Sequence, residues 1–385
     1  MQKEFHLSQA DVKRLADGYG TPLLVMSVEQ IKNNYRYLKE HMPRVNIHYA
    51  VKANPDERII RTLKDLGSCF DVASDGEILQ LQAMGIRGEQ MVYANPIKPV
   101  HGIETARQAG ILNYMVDSAP EIEKMARVAP GAGVMVRVRM QNPEALIDLN
   151  KKFGAEPSDV LSLLLKARDC GLRVAGLAFH VGSQATQAHA YLNALQVCRR
   201  LFDEAAAQGL NLQILDIGGG FPIRAPGSAK IDIQKMLTTI YQGLEQFFPQ
   251  TEIWAEPGRF ICGTAVKLIT RVIGRQQRDN QDWYFLDEGI YGTFSGVIFD
   301  HWDFELLPFK EGPTVTATFA GPSCDSFDVI FREKETVQLD VDDLILVPNI
   351  GSYSSASATT FNGFAKARTV VWEEVREGCR LEAVG

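Results

Sequence analysis

The stretch NIHYAVKANPDERIIRTLKDLG, residues 46–67, joins a short apolar, β-prone run to a helix-like segment that ends at a glycine. In its second half the apolar residues recur every three or four positions, which is the spacing of one helix face. A glycine directly after the last turn is typical of a helix C-terminus. The stretch is therefore predicted to form one strand followed by one helix.

This strand–helix unit recurs along residues 46–260. Helix-like segments such as DGEILQLQAMG and PSDVLSLLLKARDCG separate eight β-like runs. The runs are NIHYAVKAN, CFDVAS, QMVYANP, NYMVD, GVMVRVRM, VAGLAFHVG, LQILDIGGG and EIWAEPGR. Eight such units predict a closed parallel (β/α)8 barrel. A doubly wound open sheet shows the same alternation, but it usually stops at about five or six strands.

The pattern changes after about residue 262, where helical periodicity nearly vanishes. Short alternating runs take over, among them KLITRVIG, DWYFLDEG, PTVTATFAG, DLILVPNIG and ARTVVWEE. Such runs, separated by Gly, Pro and Asp, predict an all-β domain. The early run TPLLVMSV is expected to join it. We therefore expect residues 1–30 to contribute to the β domain, residues 31–262 to form the barrel, and residues 263–385 to form the C-terminal β domain.

The composition excludes several classes of partner. The 385-residue chain carries a net charge of −7 and contains no basic run, which argues against nucleic acid and anionic membranes as partners. No apolar stretch reaches transmembrane length, and the first residues suggest an amphipathic helix rather than a signal peptide. Six cysteines (69, 170, 198, 262, 324 and 379) and seven histidines lack metal-ligand spacing. We therefore expect free thiols, a cytoplasmic protein and no metal.

The predicted strands end in chemically active residues. In a barrel of this kind, catalytic groups lie at the C-terminal ends of the strands. The residues found there are Lys52, Asp71, Ser74, Asn95, Asp117, Arg137, His180, Ser183, Gly218–Gly220, Glu256 and Arg259. Exposure of strand ends to solvent explains part of this polarity. Its concentration on one rim predicts an active site.

Two glycine-containing motifs predict a phosphate site at this rim. DIGGGFP, residues 216–222, ends the seventh predicted strand, and EPGRF, residues 256–260, ends the eighth. A tight turn alone also needs glycine. Barrels of this class nevertheless commonly bind phosphate with the loops after strands seven and eight, where backbone amides approach the anion closely.

Lys52 is then placed for cofactor chemistry. A lysine at a strand end commonly extends its ammonium group to water. With a phosphate site on the opposite strands, Lys52 is instead positioned to form a Schiff base with pyridoxal phosphate. Glu256 would pair with the pyridine nitrogen and keep it protonated. His180 would stack on the ring, although by itself it would suggest an ordinary core histidine.

The motifs as a set resemble the fold-type III pyridoxal-phosphate decarboxylases of basic amino acids, which are alanine-racemase-like barrels. They include YAVKANP, FDVASDGEI, FHVGSQ, DIGGGFP, EPGRF, GPSCDSFD and GSYSSASATTFNGF, and they cover essentially the whole chain. Within that family the chain is most similar to the bacterial lysine/ornithine decarboxylases. The resemblance implies decarboxylation of L-lysine or L-ornithine to cadaverine or putrescine, for polyamine biosynthesis.

The resemblance also implies a role for each matching residue. The cofactor would be held by Lys52, Asp71, Glu77, Arg137, His180, Ser183, Gly219, Gly220, Glu256, Arg259 and Tyr353. Within this set Ser183, Gly219, Gly220, Arg259 and Tyr353 would hold the phosphate. Cys324 would protonate the carbanion after carbon dioxide leaves, and Asp325 with Glu288 would bind the distal ammonium of the substrate. Cys324 and Asp325 would reach into the neighbouring subunit of a homodimer, so that its active sites are shared.

Two residues bear on the substrate. Glu288 stands where eukaryotic ornithine decarboxylases have aspartate, and one methylene is worth only ~1–3 kcal/mol of discrimination, so dual specificity is physically easy. Asp325 follows the cysteine where diaminopimelate decarboxylases typically have glutamate, which disfavours diaminopimelate.

Three alternatives remain at this point. The first is a decarboxylase of a modified diamino acid in a siderophore or antibiotic pathway. The second is a racemase of the same fold, against which Glu256 argues because racemases place an arginine on the pyridine nitrogen. The third is a non-catalytic homologue that binds a regulator, against which the presence of Lys52, His180 and Cys324 argues.

Overall fold

The computed structural model describes residues 4–140, 152–224 and 231–376. Cys379 lies outside these residues. Within these residues the chain forms two compact units: one comprises residues 34–140, 152–224 and 231–260, and the other comprises residues 4–33 and 261–376. We call the first the barrel unit and the second the β unit.

The chain begins with helix α1 (Gln9–Tyr19), strand β1 (Leu23–Met26) and helix α2 (Val28–His41). Ser8 caps α1 because its side chain accepts a hydrogen bond from the Asp11 backbone, while the Asp11 carboxylate accepts one from the Ser8 backbone. This reciprocal pair satisfies amide groups that have no partner in the first turn of a helix.

The barrel unit is a closed ring of eight parallel strands, as the sequence predicts. The strands are β2 (Asn46–Ala50), β3 (Cys69–Val72), β4 (Met91–Tyr93), β5 (Asn113–Val116), β6 (Gly133–Val138), β7 (Arg173–Phe179), β8 (Ile214–Asp216) and β9 (Glu252–Ala255). Pairing of β9 with β2 closes the ring. All C-terminal strand ends therefore meet at one rim.

A helix follows each barrel strand. The helices are α3 (Glu57–Asp65), α4 (Asp75–Ala83), α5 (Val100–Gln108), α6 (Ala119–Val128), α7 (Pro157–Asp169), α8 (Ala188–Ala207), α9 (Ile233–Phe247) and α10 (Arg259–Cys262). The barrel interior is filled by apolar side chains, among them Val92, Met115, Met135 and Ile214. No described helix is long and apolar enough to cross a membrane.

The β unit contains one eight-stranded sheet. Its strands after β1 are β10 (Val266–Arg278), β11 (Gln281–Leu286), β12 (Leu307–Pro308), β13 (Thr314–Ala320), β14 (Val329–Val337), β15 (Leu344–Val347) and β16 (Arg368–Val371). Two short helices, α11 (Gly296–Phe299) and α12 (Trp372–Val375), lie between and after them. Strand β1, from the run TPLLVMSV, pairs with β10 and β16.

Strand β14 is absent from the sequence-based prediction. It pairs with β13 from Val337 to Val329, yet its middle carries the charged run REKE and only its ends are apolar. Glu333 also has a φ of 53°, which interrupts the regular pleat. A strand with this composition has no clear alternating pattern, so pairing with its neighbour rather than its own sequence identifies it.

Candidate active site

Lys52 and Asp71 form an ion pair at the rim of the barrel. Strand β2 ends at Ala50, and Lys52 lies in the single 3-10 turn that follows, Val51–Ala53. Ala50 is paired with Asp71 of β3, so the two side chains leave neighbouring strand ends. Lys52 Nζ donates to Oδ2 of Asp71, whose side chain is fully buried. The lysine is thus held at the barrel mouth by a buried carboxylate.

Glu77 lies beside this pair, in the first turn of α4. Its Oε2 accepts a hydrogen bond from the Ala73 backbone at 2.6 Å, and the Ser74 hydroxyl caps the helix by accepting from the Glu77 backbone. Burial raises the pKa of Glu77, and the charge of Asp71 raises it further. Glu77 is therefore part of the same electrostatic environment as Lys52.

His180 directly follows β7 and is uncharged at neutral pH. The Gly182 backbone donates to its Nδ1 at 2.9 Å, which places the ring hydrogen on Nε2. Desolvation lowers the pKa of His180 to about 3, helped by the positive charges of Arg137 and Lys52. A neutral ring of this kind suits stacking rather than general-base chemistry at neutral pH.

The loop after β8 comes too close to its neighbours for side chains. A Cβ on Gly219 would lie 2.5 Å from the Glu256 carbonyl oxygen and 3.3 Å from His180 Nε2. Gly220 has a φ of 96°, and a Cβ there would collide with the Gly182 carbonyl. The packing around this loop therefore requires glycine at positions 219 and 220. Without side chains, the loop backbone is open to the close approach of an anion, as phosphate binding needs.

Ser183 and Arg259 are the two further phosphate ligands expected in the barrel unit. Ser183 belongs to the segment whose Ala185 backbone donates to the Gly220 carbonyl at 2.9 Å. Arg259 is the first residue of α10 and is buried. The rim after β7, β8 and β9 therefore combines glycine backbone, a hydroxyl and a guanidinium group.

Glu256 follows β9 and is buried. Among the described residues, no hydrogen-bond donor reaches its Oε1. Burial raises the pKa of Glu256 well above its usual range, and the negative charges of Asp216 and Asp71 act in the same direction. A buried carboxyl group without a donor is a site for a protonated ligand nitrogen.

Arg137 extends from β6 toward these acids. Its guanidinium lies 5.4 Å from the centre of the Phe153 ring, and no described residue accepts a hydrogen bond from its buried Nε and Nη2. Burial lowers the pKa of Arg137, and the negative charges of Glu256 and Asp117 oppose that shift. An arginine side chain remains charged in proteins, so the site carries a cation with unused donors.

The remaining expected residues lie in the β unit. Cys324 is exposed, and both its backbone N and its Sγ donate to Oδ1 of Asn362, at 3.3 and 3.4 Å. Asp325 accepts from the Tyr291 hydroxyl at 2.5 Å and from the Phe327 backbone at 3.0 Å. Both groups are therefore held in fixed positions by their own unit.

Glu288 and Tyr353 occupy different environments in the β unit. Glu288 is buried against a cavity of about 280 Å³, and its Oε1 accepts from the Gly289 backbone at 3.0 Å. Burial raises the pKa of Glu288, and hydrogen bonds from Thr293 act in the opposite direction. Tyr353 is partly exposed and has a φ of 52°, in the left-handed region.

Sequence reasoning missed Asp216, Tyr291 and Asn362. Asp216 ends β8 and is fully buried in contact with Glu256. The rule that selected Asp71, a polar residue at the C-terminal end of a barrel strand, would also have found Asp216. No local signal marks Tyr291 and Asn362, because their partners lie 34 and 38 residues away in the chain.

No group of residues in the described ranges has the arrangement of a metal site. The five described cysteines, at positions 69, 170, 198, 262 and 324, are free thiols.

Comparison with known proteins relates this chain to one family. Residues 28–263 match the family model described as "Pyridoxal-dependent decarboxylase, pyridoxal binding domain". The lysine/ornithine decarboxylase of Selenomonas ruminantium is 47% identical over 375 residues, covering 97% of this chain and 95% of the relative.

Solved structures agree. The structure of SrLDC in complex with PLP and cadaverine is 46% identical, with a TM-score of 0.93, covering 97% of this chain and 96% of that one. The lysine/ornithine decarboxylase from Vibrio vulnificus, complexed with cadaverine, is 34% identical with a TM-score of 0.88, covering 95% of this chain and 99% of that one. The chain belongs to the pyridoxal-dependent decarboxylases.

Proposed function

We propose that this protein removes the α-carboxylate of L-lysine and L-ornithine with pyridoxal phosphate as cofactor, releasing cadaverine and putrescine. The observation that carries the proposal is the ion pair of Lys52 with buried Asp71 at the rim of a barrel that also carries the glycine loop and Glu256. The relatives named above, two of which are complexed with cadaverine, support the same substrates.

The barrel residues fit the cofactor. Lys52 would hold it covalently, and Glu256 Oε1, which lacks a donor among the described residues, would accept from its protonated ring nitrogen. His180 would lie against the ring. The phosphate would be held by Ser183, Gly219, Gly220 and Arg259, together with Tyr353 of the β unit. Asp71, Glu77 and Arg137 would supply the charges around Lys52 and the ring.

Each residue then has a defined task. When bound, pyridoxal phosphate supplies the electron sink for the pair of electrons left at Cα as carbon dioxide departs. Glu256 keeps the ring nitrogen protonated, which strengthens that sink. Cys324 Sγ donates a proton to Cα afterwards. Asp71 orients Lys52 Nζ through their ion pair.

Asp325 is the proposed partner of the substrate's distal ammonium. It is partly exposed, and the hydrogen bonds from Tyr291 and Phe327 keep its pKa below the usual range, so it is ionised at neutral pH. A carboxylate held in this way binds an alkylammonium through a charge-assisted hydrogen bond. Glu288 is already bound by its own loop, so we assign it the supporting role of shaping the cavity beside Tyr291.

We further propose that Cys324 and Asp325 complete the active site of a second copy of this chain in a twofold dimer, and that the enzyme acts in polyamine biosynthesis in the cytoplasm. The family resemblance supports the shared sites. The free thiols suit a reducing compartment.

The test is amine and carbon dioxide release from L-lysine, L-ornithine, L-arginine and meso-diaminopimelate, each with added pyridoxal phosphate. We expect turnover of lysine and ornithine only, lost in Lys52→Ala. A protein that binds the cofactor but releases neither cadaverine nor putrescine would refute the substrate assignment. It would point instead to a larger diamino acid.

A further inference from the structure

Asp216 and Glu256 bring two buried carboxyl groups into contact. Asp216 ends β8 opposite Trp254 of β9, and Glu256 lies two residues beyond Trp254, directly after the end of β9. The Glu256 backbone donates to the Gly218 carbonyl at 2.7 Å, which holds the two strand ends together. The Asp216 and Glu256 carboxyl groups are close enough to influence each other's pKa.

The donors around this pair are too few for two ionised groups. Oδ1 of Asp216 accepts from the Gly218 backbone at 2.8 Å. Oδ2 of Asp216 and Oε1 of Glu256 are buried, and no N–H or O–H group of the described residues donates to either. Two carboxylates in contact repel each other, whereas one carboxylic acid and one carboxylate attract each other through the shared hydrogen.

We propose that Asp216 and Glu256 share one proton at neutral pH, and that this is the proton taken by the ring nitrogen when pyridoxal phosphate binds. The proposal rests on the proposed function. In the transfer, the O–H bond of the pair breaks, its electrons stay on the carboxylate oxygen, and an N–H bond forms on the ring. Asp216 acts through Glu256 and is therefore a positioning residue.

The charged surroundings agree with a protonated pair. Burial raises the pKa of Asp216 to about 7 and that of Glu256 well above its usual range. Asp71 of β3 adds a negative charge that favours the proton. Lys52, after β2, and Arg137 of β6 add positive charges that oppose it without cancelling the effect of burial. His180, after β7, is neutral.

Asp216 also connects the pair to the glycine loop. The same carboxyl group that contacts Glu256 receives the first N–H of that loop, from Gly218. Gly218 has a φ of 67°, and a Cβ there would collide with the Phe179 carbonyl, so the loop cannot shift easily. One side chain therefore sets both the position of Glu256 and the start of the proposed phosphate loop.

Asp216→Asn tests the proton count. Asparagine matches aspartic acid in size and can donate N–H to Glu256, so Glu256 would be ionised before the cofactor arrives. The ring nitrogen must then take its proton from solvent. Calorimetric titration of the apoenzyme with pyridoxal phosphate, in buffers of different ionisation enthalpy, measures this uptake. We expect the variant to take up about one proton more than the wild type.

Controls make the difference specific. The number of protons exchanged at Lys52 and at the phosphate is the same in the wild type and in Asp216→Asn, so it cancels in the comparison. Glu245→Gln changes an exposed carboxylate on α9 that pairs with Arg44, and it should bind with the wild-type proton count. Equal proton uptake by wild type and Asp216→Asn would overturn the proposal.

Infrared spectroscopy of the wild type decides the matter if Asp216→Asn does not fold. The apoenzyme should show the carbonyl band of a buried protonated carboxyl group, and the band should disappear when pyridoxal phosphate binds. An apoenzyme without the band overturns the proposal. A band that persists after binding overturns the transfer to the ring nitrogen. If the wild type shows no cofactor absorbance after pyridoxal phosphate is added, the proposed function itself is overturned. The two infrared outcomes leave the proposed function standing.

Discussion

Tyr291 donates its hydroxyl hydrogen to Oδ2 of Asp325 at 2.5 Å, across 34 residues of sequence. The Tyr291 ring stacks on Phe361 with 4.2 Å between centroids. The hydroxyl lowers the pKa of Asp325, and the Phe327 backbone adds to the effect. The Tyr291 hydroxyl therefore fixes the position of the Asp325 carboxylate, which is proposed to bind the distal ammonium of the substrate.

Tyr291→Phe should release Asp325 without removing the ring stack. Asp325 is still ionised at neutral pH in this variant, so the carboxylate keeps its charge. It loses the hydrogen bond that holds it in one position. We expect KM for lysine and ornithine to rise about three- to tenfold, the effect of one lost hydrogen bond, with kcat little changed. Steady-state kinetics on both substrates measure this. Tyr241→Phe, on α9, is the matched control, and an unchanged KM in Tyr291→Phe would contradict the role given to this contact.

Asn362→Gly should affect a different kinetic constant. Asn362 has a φ of 53°, which glycine adopts without strain. The variant therefore keeps the backbone conformation at residue 362 but deletes the oxygen that accepts from the Cys324 thiol and from the Cys324 backbone. Because Cys324 is proposed to act after carbon dioxide leaves, kcat should fall several-fold and KM should fall with it, so that kcat/KM stays the same.

Asn362→Asp restores an oxygen acceptor and should recover part of the lost kcat. The measurement is the pair of kinetic constants for all three proteins. A rise in KM with constant kcat would mean that Asn362 acts on substrate binding instead.

Gly220→Ala should weaken cofactor binding, whereas Gly209→Ala should not. Gly220 and Gly209 both have positive φ, so alanine at either position costs about 1–2 kcal/mol in backbone strain. Only at Gly220 does a Cβ meet a neighbour, the Gly182 carbonyl, whereas nothing lies within 4 Å at Gly209. Spectroscopic titration with pyridoxal phosphate should show weaker binding for Gly220→Ala and wild-type binding for Gly209→Ala. Equal binding by the two variants would argue against a phosphate site here.

His48 should make the barrel unit sensitive to acid. The ring is buried against Trp254 at 4.3 Å, and burial lowers its pKa from 6.5 to about 4. Since the folded-state pKa lies below the unfolded one, the unfolded chain binds the extra proton, and stability is lost as pH falls from 6.5 toward 4. His48→Phe keeps an aromatic ring against Trp254 and removes this loss.

Urea denaturation at about pH 7 and about pH 4.5 should show that the free energy of unfolding falls by about 2 kcal/mol less in His48→Phe than in the wild type. The same pH dependence in both proteins would mean that His48 is protonated in the folded state.

The barrel was predictable because its strands are buried on both faces and read as apolar runs between amphipathic helices. The rim residues Lys52, Asp71 and Glu256 were predictable because the fold places every strand end on one side. Strand β14 was not, since its charged middle gives no alternation. The contacts Tyr291–Asp325 and Asn362–Cys324 join segments distant in sequence, so only tertiary structure brings them together.

The measurement that tests the central claim most directly is the identity of the lysine that carries the cofactor. Borohydride reduction of the enzyme loaded with pyridoxal phosphate fixes the cofactor to its lysine, and mass spectrometry of the peptides locates it. We predict modification of Lys52 in the wild type and none in Lys52→Ala. Modification of another lysine, such as Lys98, which is buried in the barrel unit and bound to the Met115 carbonyl at 2.6 Å, would contradict the site described here.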